Sequence, residues 1–181
     1  MSKVILSTKE LRRLDAKAIK AGFSERILIE NASSNMCCLI DSFGLGTKVL
    51  AVAGGGNNGA DTLACARKLA NREYQVYGAV VSDKEVNSEC SFQADMLKRL
   101  GIYIDYIKDD YGLLRIKELL RKVDFVVDGI LGIGVKRAVE GLLKNAVDIM
   151  NAGGKKIVSC DVPSGLNPDT GSIVTNAVRA D

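Results

Sequence analysis

Histidine is absent from all 181 residues. That excludes every His-based catalytic triad, the usual zinc sites and the commonest general base. Acid–base chemistry in this chain is left to carboxylates, lysine or tyrosine. The five cysteines (Cys37, Cys38, Cys65, Cys90 and Cys160) form no C-x-x-C pair and mostly sit in apolar runs. They read as buried, reduced thiols of a cytosolic protein rather than as a redox or metal centre. No apolar run is long enough to span a membrane, and the opening MSKVILSTKELRR turns charged after three apolar residues, unlike a signal peptide. A cytoplasmic location without a membrane role is therefore expected. Charge of one sign is also scarce: 25 Lys and Arg face 22 Asp and Glu, spread along the chain, which argues against a nucleic-acid partner.

What is present suits one α/β domain over residues 1–181 with a real core, at 47% hydrophobic and 26% charged. Ser7 and Glu10 have capping-box spacing ahead of a helical stripe of Leu11, Leu14 and Ile19. Ser24 can cap a second helix through ERILIENASSNMCCLIDSF, ending near Gly44 and Gly46. From there strands and helices alternate. KVLAVA precedes a helix from about Gly59 to Arg72. YQVYGAVV precedes one opened by Ser82 or Asp83, and IYIDYI precedes GLLRIKELLRKV. DFVVDGILG precedes VEGLLKNAVDIMN, and KKIVSCDVPSG closes the series. The rhythm predicts a Rossmann-like, doubly wound, mainly parallel sheet with helices on both faces and two extra N-terminal helices. NAVRAD then looks like the lead-in to a sixth strand, so truncation at the C-terminal end is expected.

In such a sheet, with strand order 3-2-1-4-5, ligands bind beyond the carboxyl ends of the first and fourth strands. The unusual residues cluster in the loops after strands one, four and five: GGGNNGAD, DGILGIGVKRAVEG and DVPSGLNPDTG. The loops after strands two and three, SDKEV and KDDYG, read as solvated connections. Gly54, Gly56 and Gly59 match G-x-G-x-x-G, whose backbone can approach a phosphate at a helix start. A dehydrogenase would add an acid near the end of the second strand, for which Asp83 is a loose candidate. Asp128 ends an apolar strand and must be paired, hydrogen-bonded or cation-bound, or else serve as a cap or turn residue. Lys136 and Arg137 read as an anion clamp or as solvated charge. Asp161 ends the fifth strand before Pro163, Ser164 and Gly165, and is either a general base or the maker of an Asx turn.

Together the three loops, in this order, resemble the NAD(P)H-hydrate epimerase family, the YjeF N-terminal domain. Its first loop is similar to G-x-G-N-N-G-G-D-G, its second to D-x-x-x-G-x-G running on to V-E-G, and its third to D-x-P-S-G-L-x-x-D-T-G. LIENAS in the second helix resembles the family's M-E-N-A-G. The resemblance implies an isomerase that interconverts the R and S forms of hydrated NADH and NADPH (NADHX and NADPHX) at C6 of the nicotinamide ring. It would serve metabolite repair beside an NAD(P)H-hydrate dehydratase, which could follow as a fused domain in the full gene. Separately, the two exposed leading helices suggest a homodimer. It also implies roles for individual residues. Asn57, Asn58, Gly59, Ala60 and Asp61 would hold the substrate, and Gly132, Ile133, Gly134, Val135, Lys136, Arg137 and Ala138 would close over it. Asp161 would contact the hydrated ring and act as the catalytic residue. Asn58, Asp128 and Ser164 would bind a potassium ion, K+. Two family glycines are replaced, by Ala60 and Thr62; a positive φ at either would cost roughly 1–2 kcal/mol. The alternatives are a non-catalytic scaffold of the same fold, and an oxidoreductase that binds ordinary NADH and depends on Asp83.

Overall fold

A computed structural model describes residues 6–134, 138–173 and 175–181. The chain runs α1 (Thr8–Lys20), α2 (Glu25–Phe43), β1 (Lys48–Gly54), α3 (Asn57–Ala70), β2 (Gln75–Val81) and α4 (Ser88–Arg99). It continues with β3 (Ile104–Ile107), α5 (Leu113–Leu120), β4 (Phe125–Gly129), α6 (Gly141–Ala152) and β5 (Lys156–Ser159). The strands form one sheet in the order β3-β2-β1-β4-β5, with every neighbouring pair parallel. The expected doubly wound order is thus present, and the order reverses between β1 and β4.

Alternation along the strands builds the two faces. Leu50 and Val52 of β1 pack with Ile116 and Leu119 of α5 and Met150 of α6. Ala51 and Ala53 point the other way, onto Leu63 and Ala64 of α3 and Leu97 of α4. Beside them, Val49, Phe125 and Val127 meet Cys37 and Ile40 of α2. A strand buried on both faces reads as a continuous apolar run, and β1 is one: all but Lys48 is buried.

Helix α1 has its capping box, Ser7 with Glu10, but no buried residue. It is held to the body largely by polar bonds: Thr8 donates from N–H and Oγ1 to the Asp169 carboxylate at 2.9 and 2.6 Å.

Several boundaries differ from those the sequence predicts. Helix α3 starts at Asn57 rather than Gly59, because Gly56 is extended and serves as the N-cap. Helix α4 starts at Ser88 under Asn87, whose side chain accepts from Cys90 N–H at 2.8 Å. Ser82, expected to cap it, is occupied in its own tight turn with Lys84. Strand β3 begins at Ile104, since Ile102 N–H is taken by Leu97 C=O at the end of α4. The closing segment runs beside β5, where Asp181 N–H donates to Ile157 C=O at 2.9 Å. Among the described residues no helix is long and apolar enough to cross a membrane.

Candidate active site

A cavity of about 1770 Å3 opens beyond the carboxyl ends of the strands. All three loops singled out by sequence line it, through Asn57 and Asn58, Gly132 and Ile133, and Asp161 and Pro163. The SDKEV loop lines it as well, which corrects its reading as a plain solvated connection. It is fastened to the glycine loop: Asn87 N–H donates to Gly55 C=O at 2.9 Å. Asp83 therefore does stand at the cavity.

The fingerprint glycines divide into two kinds. A Cβ on Gly54 would lie 2.0 Å from Ile130 O, and one on Gly59 would lie 1.9 Å from Gly54 O. These two exist to let β1, α3 and the β4 loop touch. Gly56 has open space around its Cβ position and leaves the first N–H groups of α3 without a side-chain cap. Uncapped N–H groups at a helix start, facing a cavity, are suited to phosphate. Ala60 and Thr62 lie inside α3, and neither is among the residues of positive φ. Their side chains therefore cost the loop no backbone strain.

The two asparagines do different work. Asn57 has its side chain committed, donating to Glu25 and accepting from Asn87 Nδ2 at 2.5 Å, so it offers a ligand its backbone. Asn58 Nδ2 donates to Cys160 C=O at 3.3 Å, tying α3 to the loop after β5. Its Oδ1 is buried without any hydrogen-bond partner.

Asp128 is fully buried. One carboxylate oxygen accepts from Ser164 Oγ at 2.6 Å and Ile130 N–H at 3.2 Å. The other accepts from Ser159 Oγ at 2.8 Å and Ser164 N–H at 2.9 Å. Burial pushes its pKa up, while the donors from Ser164, Ser159 and Ile130 pull it down. The sequence reading omits Ser159, although a serine opposite Asp128 in the β4–β5 register is a polar interruption at the same level of the sheet.

Asp161 is the centre of a γ-turn: Val162 N–H donates to Cys160 C=O at 2.8 Å, and Asp161 has φ of 68°. This left-handed backbone replaces the Asx turn considered from sequence, and such strain gathers at functional sites. The turn aims the exposed carboxylate at the β4 loop, where Oδ2 accepts from Ile133 N–H at 2.9 Å. A Cβ on Gly132 would come within 2.9 Å of Asp161 Oδ2 and 3.1 Å of Asn58, so glycine is needed for the three loops to meet. Asp61, one turn into α3, lines the same cavity half-buried. Burial raises its pKa to about 7, with the charges of Asp161, Asp15 and Glu25 adding to the shift. The site thus holds two carboxylates in contrasting settings, one exposed and one able to hold a proton near neutrality.

The structure therefore lines one crevice with Asn57, Asn58, Asp61, Gly132, Ile133, Gly134, Ala138 and Asp161. Asp128 and Ser164 lie outside that lining, buried and bonded to each other, while Gly59 and Ala60 are buried within α3, Ala60 against the core, and so offer the crevice no side chain. Lys136 and Arg137, the expected clamp, and Val135, expected to close over the substrate with them, lie outside the described residues. Sequence reading also misses Arg12 and Asp15 of α1, which line the cavity.

A model of the family described as YjeF-related protein N-terminus matches residues 25–181. The chain belongs to this family. It is 32% identical to an NAD(P)H-hydrate epimerase of Oenococcus oeni, an alignment covering 99% of this chain and 83% of that one. It is 33% identical to a bifunctional NAD(P)H-hydrate repair enzyme, Nnr, of Thermofilum pendens, across 98% of this chain and 34% of the relative. The chain thus spans about a third of the length of the bifunctional relatives it matches. The crystal structure of the yeast protein YNL200c superposes with a TM-score of 0.86 at 25% identity, covering 98% of this chain and 78% of that one.

Proposed function

We propose that the chain is an NAD(P)H-hydrate epimerase, interconverting the two C6 epimers of NADHX and NADPHX. The observation that carries this is the meeting of Asp161, Asn58 and the Gly132–Ile133 segment at the sheet's reversal point, beside the open start of α3. The names of the family relatives support it.

Hydrated C6 bears a hydroxyl and the ring nitrogen. When a carboxylate takes the hydroxyl proton, a C=O forms at C6, the C6–N1 bond breaks with its electron pair on nitrogen, and the same proton passes to that nitrogen; re-closure on the other face of the aldehyde reverses each step. Exposed Asp161 is the residue that carries the proton. One of its oxygens is fixed by Ile133 N–H, leaving the other for the ring. Asp61, with a pKa near 7, donates a hydrogen bond to the substrate in its protonated form. The N–H groups of Asn57, Asn58 and Gly59 receive the diphosphate, with Gly132, Ile133, Gly134 and Ala138 lining the crevice beside it.

The donor set also fits a potassium ion. Asn58 Oδ1 is an unpartnered, buried acceptor. Ser164 Oγ has a second acceptor, Leu131 C=O at 3.2 Å, and turning its hydroxyl there frees a lone pair on Asp128. Asn58, Asp128 and Ser164 would hold the ion, which when bound supplies positive charge beside the substrate.

Five free thiols are in keeping with a reducing cytoplasm. Leu14, Phe23, Leu39 and Phe43, exposed on α1 and α2 and in the turn between them, support a homodimer. An NAD(P)H-hydrate dehydratase is the functional partner. The test is conversion of one resolved NADHX epimer, with K+ present, followed chromatographically against the spontaneous rate. Fast equilibration supports the reading; bound substrate without acceleration replaces it with a scaffold.

A further inference from the structure

Helix α1 turns an unusual face to the cavity. Thr8, Leu11, Arg12 and Asp15 follow the i, i+3, i+4, i+7 spacing that places residues on one side of a helix. A docked helix normally shows the core an apolar stripe there. Here the stripe is mostly polar: Thr8 is bound to Asp169, while Leu11, Arg12 and Asp15 line the cavity. No α1 residue is buried, so this face is specified by its polar contacts rather than by core packing.

The contact of consequence is that of Arg12. Its Nη2 donates to Ile133 C=O at 3.2 Å, and the same residue's N–H donates to Asp161 Oδ2 at 2.9 Å. Both backbone groups of Ile133 are thereby engaged, one from α1 and one from the loop after β5. Flanking glycines 132 and 134 leave Ile133 little stiffness of its own, and Arg12 Nη2 lies 3.6 Å from the Cβ position of Gly134. Asp161 sits on a strained turn and is exposed, so its carboxylate direction depends on the partner that Oδ2 finds.

We propose that Arg12 is a positioning residue for the epimerisation: it holds Ile133 so that the Ile133 N–H fixes Asp161 Oδ2 and the other carboxylate oxygen faces the ring. The proposal rests on the epimerase reading for its kinetic consequence, but not for the hydrogen-bond chain itself. It gives α1, which precedes the segment matched by the family model, a part in the site.

The test compares Arg12→Met, which keeps length without a donor, with Arg12→Lys, and with Arg13→Met as an exposed control on the same helix. Two readouts are taken on the full chain: kcat and KM for NADHX epimerisation, and hydrogen exchange of the Ile133 amide by NMR. Misdirection of a catalytic group by a remote change costs up to about 100-fold. Arg12→Met is expected to lower kcat roughly 10- to 100-fold with KM changed less than about 3-fold, and to speed Ile133 exchange at least about 10-fold. Arg12→Lys should recover most of both, and Arg13→Met should change neither. An Arg12→Met protein with wild-type kcat, or with Ile133 protection intact, overturns the proposal. An inactive wild type overturns the epimerase reading, and Ile133 exchange then still decides whether Arg12 holds the residue that fixes Asp161.

Discussion

The Ser164 hydroxyl donates to the Asp128 carboxylate across 2.6 Å, with both residues sealed from solvent and 36 positions apart in the chain. This bond joins the end of β4 to the loop after β5. Removing a hydrogen bond to a buried charge costs about 1.5–3 kcal/mol, so Ser164→Ala should lower unfolding stability by that amount. Asp128→Asn should cost more, about 3 kcal/mol, because its amide NH2 would face donors from Ser164, Ser159 or Ile130. If K+ binds here, raising it to about 100 times its dissociation constant should stabilise the wild type by about 2.7 kcal/mol. Thermal melts in KCl against choline chloride, on wild type and Ser164→Ala, read both effects. A melt indifferent to K+ would remove the ion from the site.

Much of this arrangement is legible in the sequence. A parallel sheet buries its strands on both faces, so KVLAVA and DFVVDG announce themselves as apolar runs, and the glycines after the first and Asp128 at the end of the second mark the ligand edge. The loop motifs single out Asn58, Asp128, Asp161 and Ser164 because polar residues directly after buried strands must be satisfied by a turn, a partner or a ligand. The rest depends on contacts distant in sequence. Nothing in SDKEV foretells that Asn87 ties the following segment to Gly55. Helix α4 starts late because Ser82 satisfies itself locally, a choice that spacing does not encode. Arg12 looks like any solvated charge until the chain folds and sets Ile133 opposite it, 121 positions away.

Asp161→Asn should fold like the wild type and lose turnover. Asparagine tolerates positive φ nearly as well as aspartate, so the γ-turn survives. Loss of a positioned proton carrier lowers rate roughly 10²- to 10⁴-fold. Asp161→Ala should show the same loss of turnover together with a lower melting temperature, since a Cβ without a polar tip costs about 1–2 kcal/mol in this region. Epimerisation kinetics and thermal melts on both variants separate the two effects; near-normal turnover by Asp161→Asn would remove Asp161 from the chemistry.

Asp61 makes stability fall as pH rises. Its folded pKa of about 7 exceeds the ordinary aspartate value of 3.8, so between these limits the native state holds more proton than the unfolded one. Stability rises with pH only where the unfolded state binds more protons, so this group's contribution has the opposite sign. The destabilisation is absent below about pH 4 and fully present above about pH 7, and amounts to a few kcal/mol at most, roughly 2 after allowance for its partial exposure. Asp161, Asp15 and Glu25 are the charges that face it and add to the effect. Asp61→Asn should therefore be more stable than wild type at pH 8 and nearly equal at pH 4, by urea denaturation at both. An equal gain at the two pH values would show that the carboxylate does not change its ionisation in this range.

Thr62 is fully buried, and the fold makes room for it at Gly129. A Cβ on Gly129 would lie 1.7 Å from Thr62 Oγ1, so the threonine fills the space that any larger residue at 129 would claim. Its hydroxyl is buried without a hydrogen-bond partner, next to the Cys160 thiol, which is a poor one. An unsatisfied buried hydroxyl costs about 1–3 kcal/mol, so the isosteric Thr62→Val should raise stability by about 1 kcal/mol without touching turnover. Gly129→Ala should do the reverse, with overpacking at the end of β4 costing about 3 kcal/mol. Denaturation midpoints of the two variants decide. A Thr62→Val protein less stable than wild type would mean that the hydroxyl does have a partner, with the Cys160 sulfur the first to be tested, by Cys160→Ala in the same background.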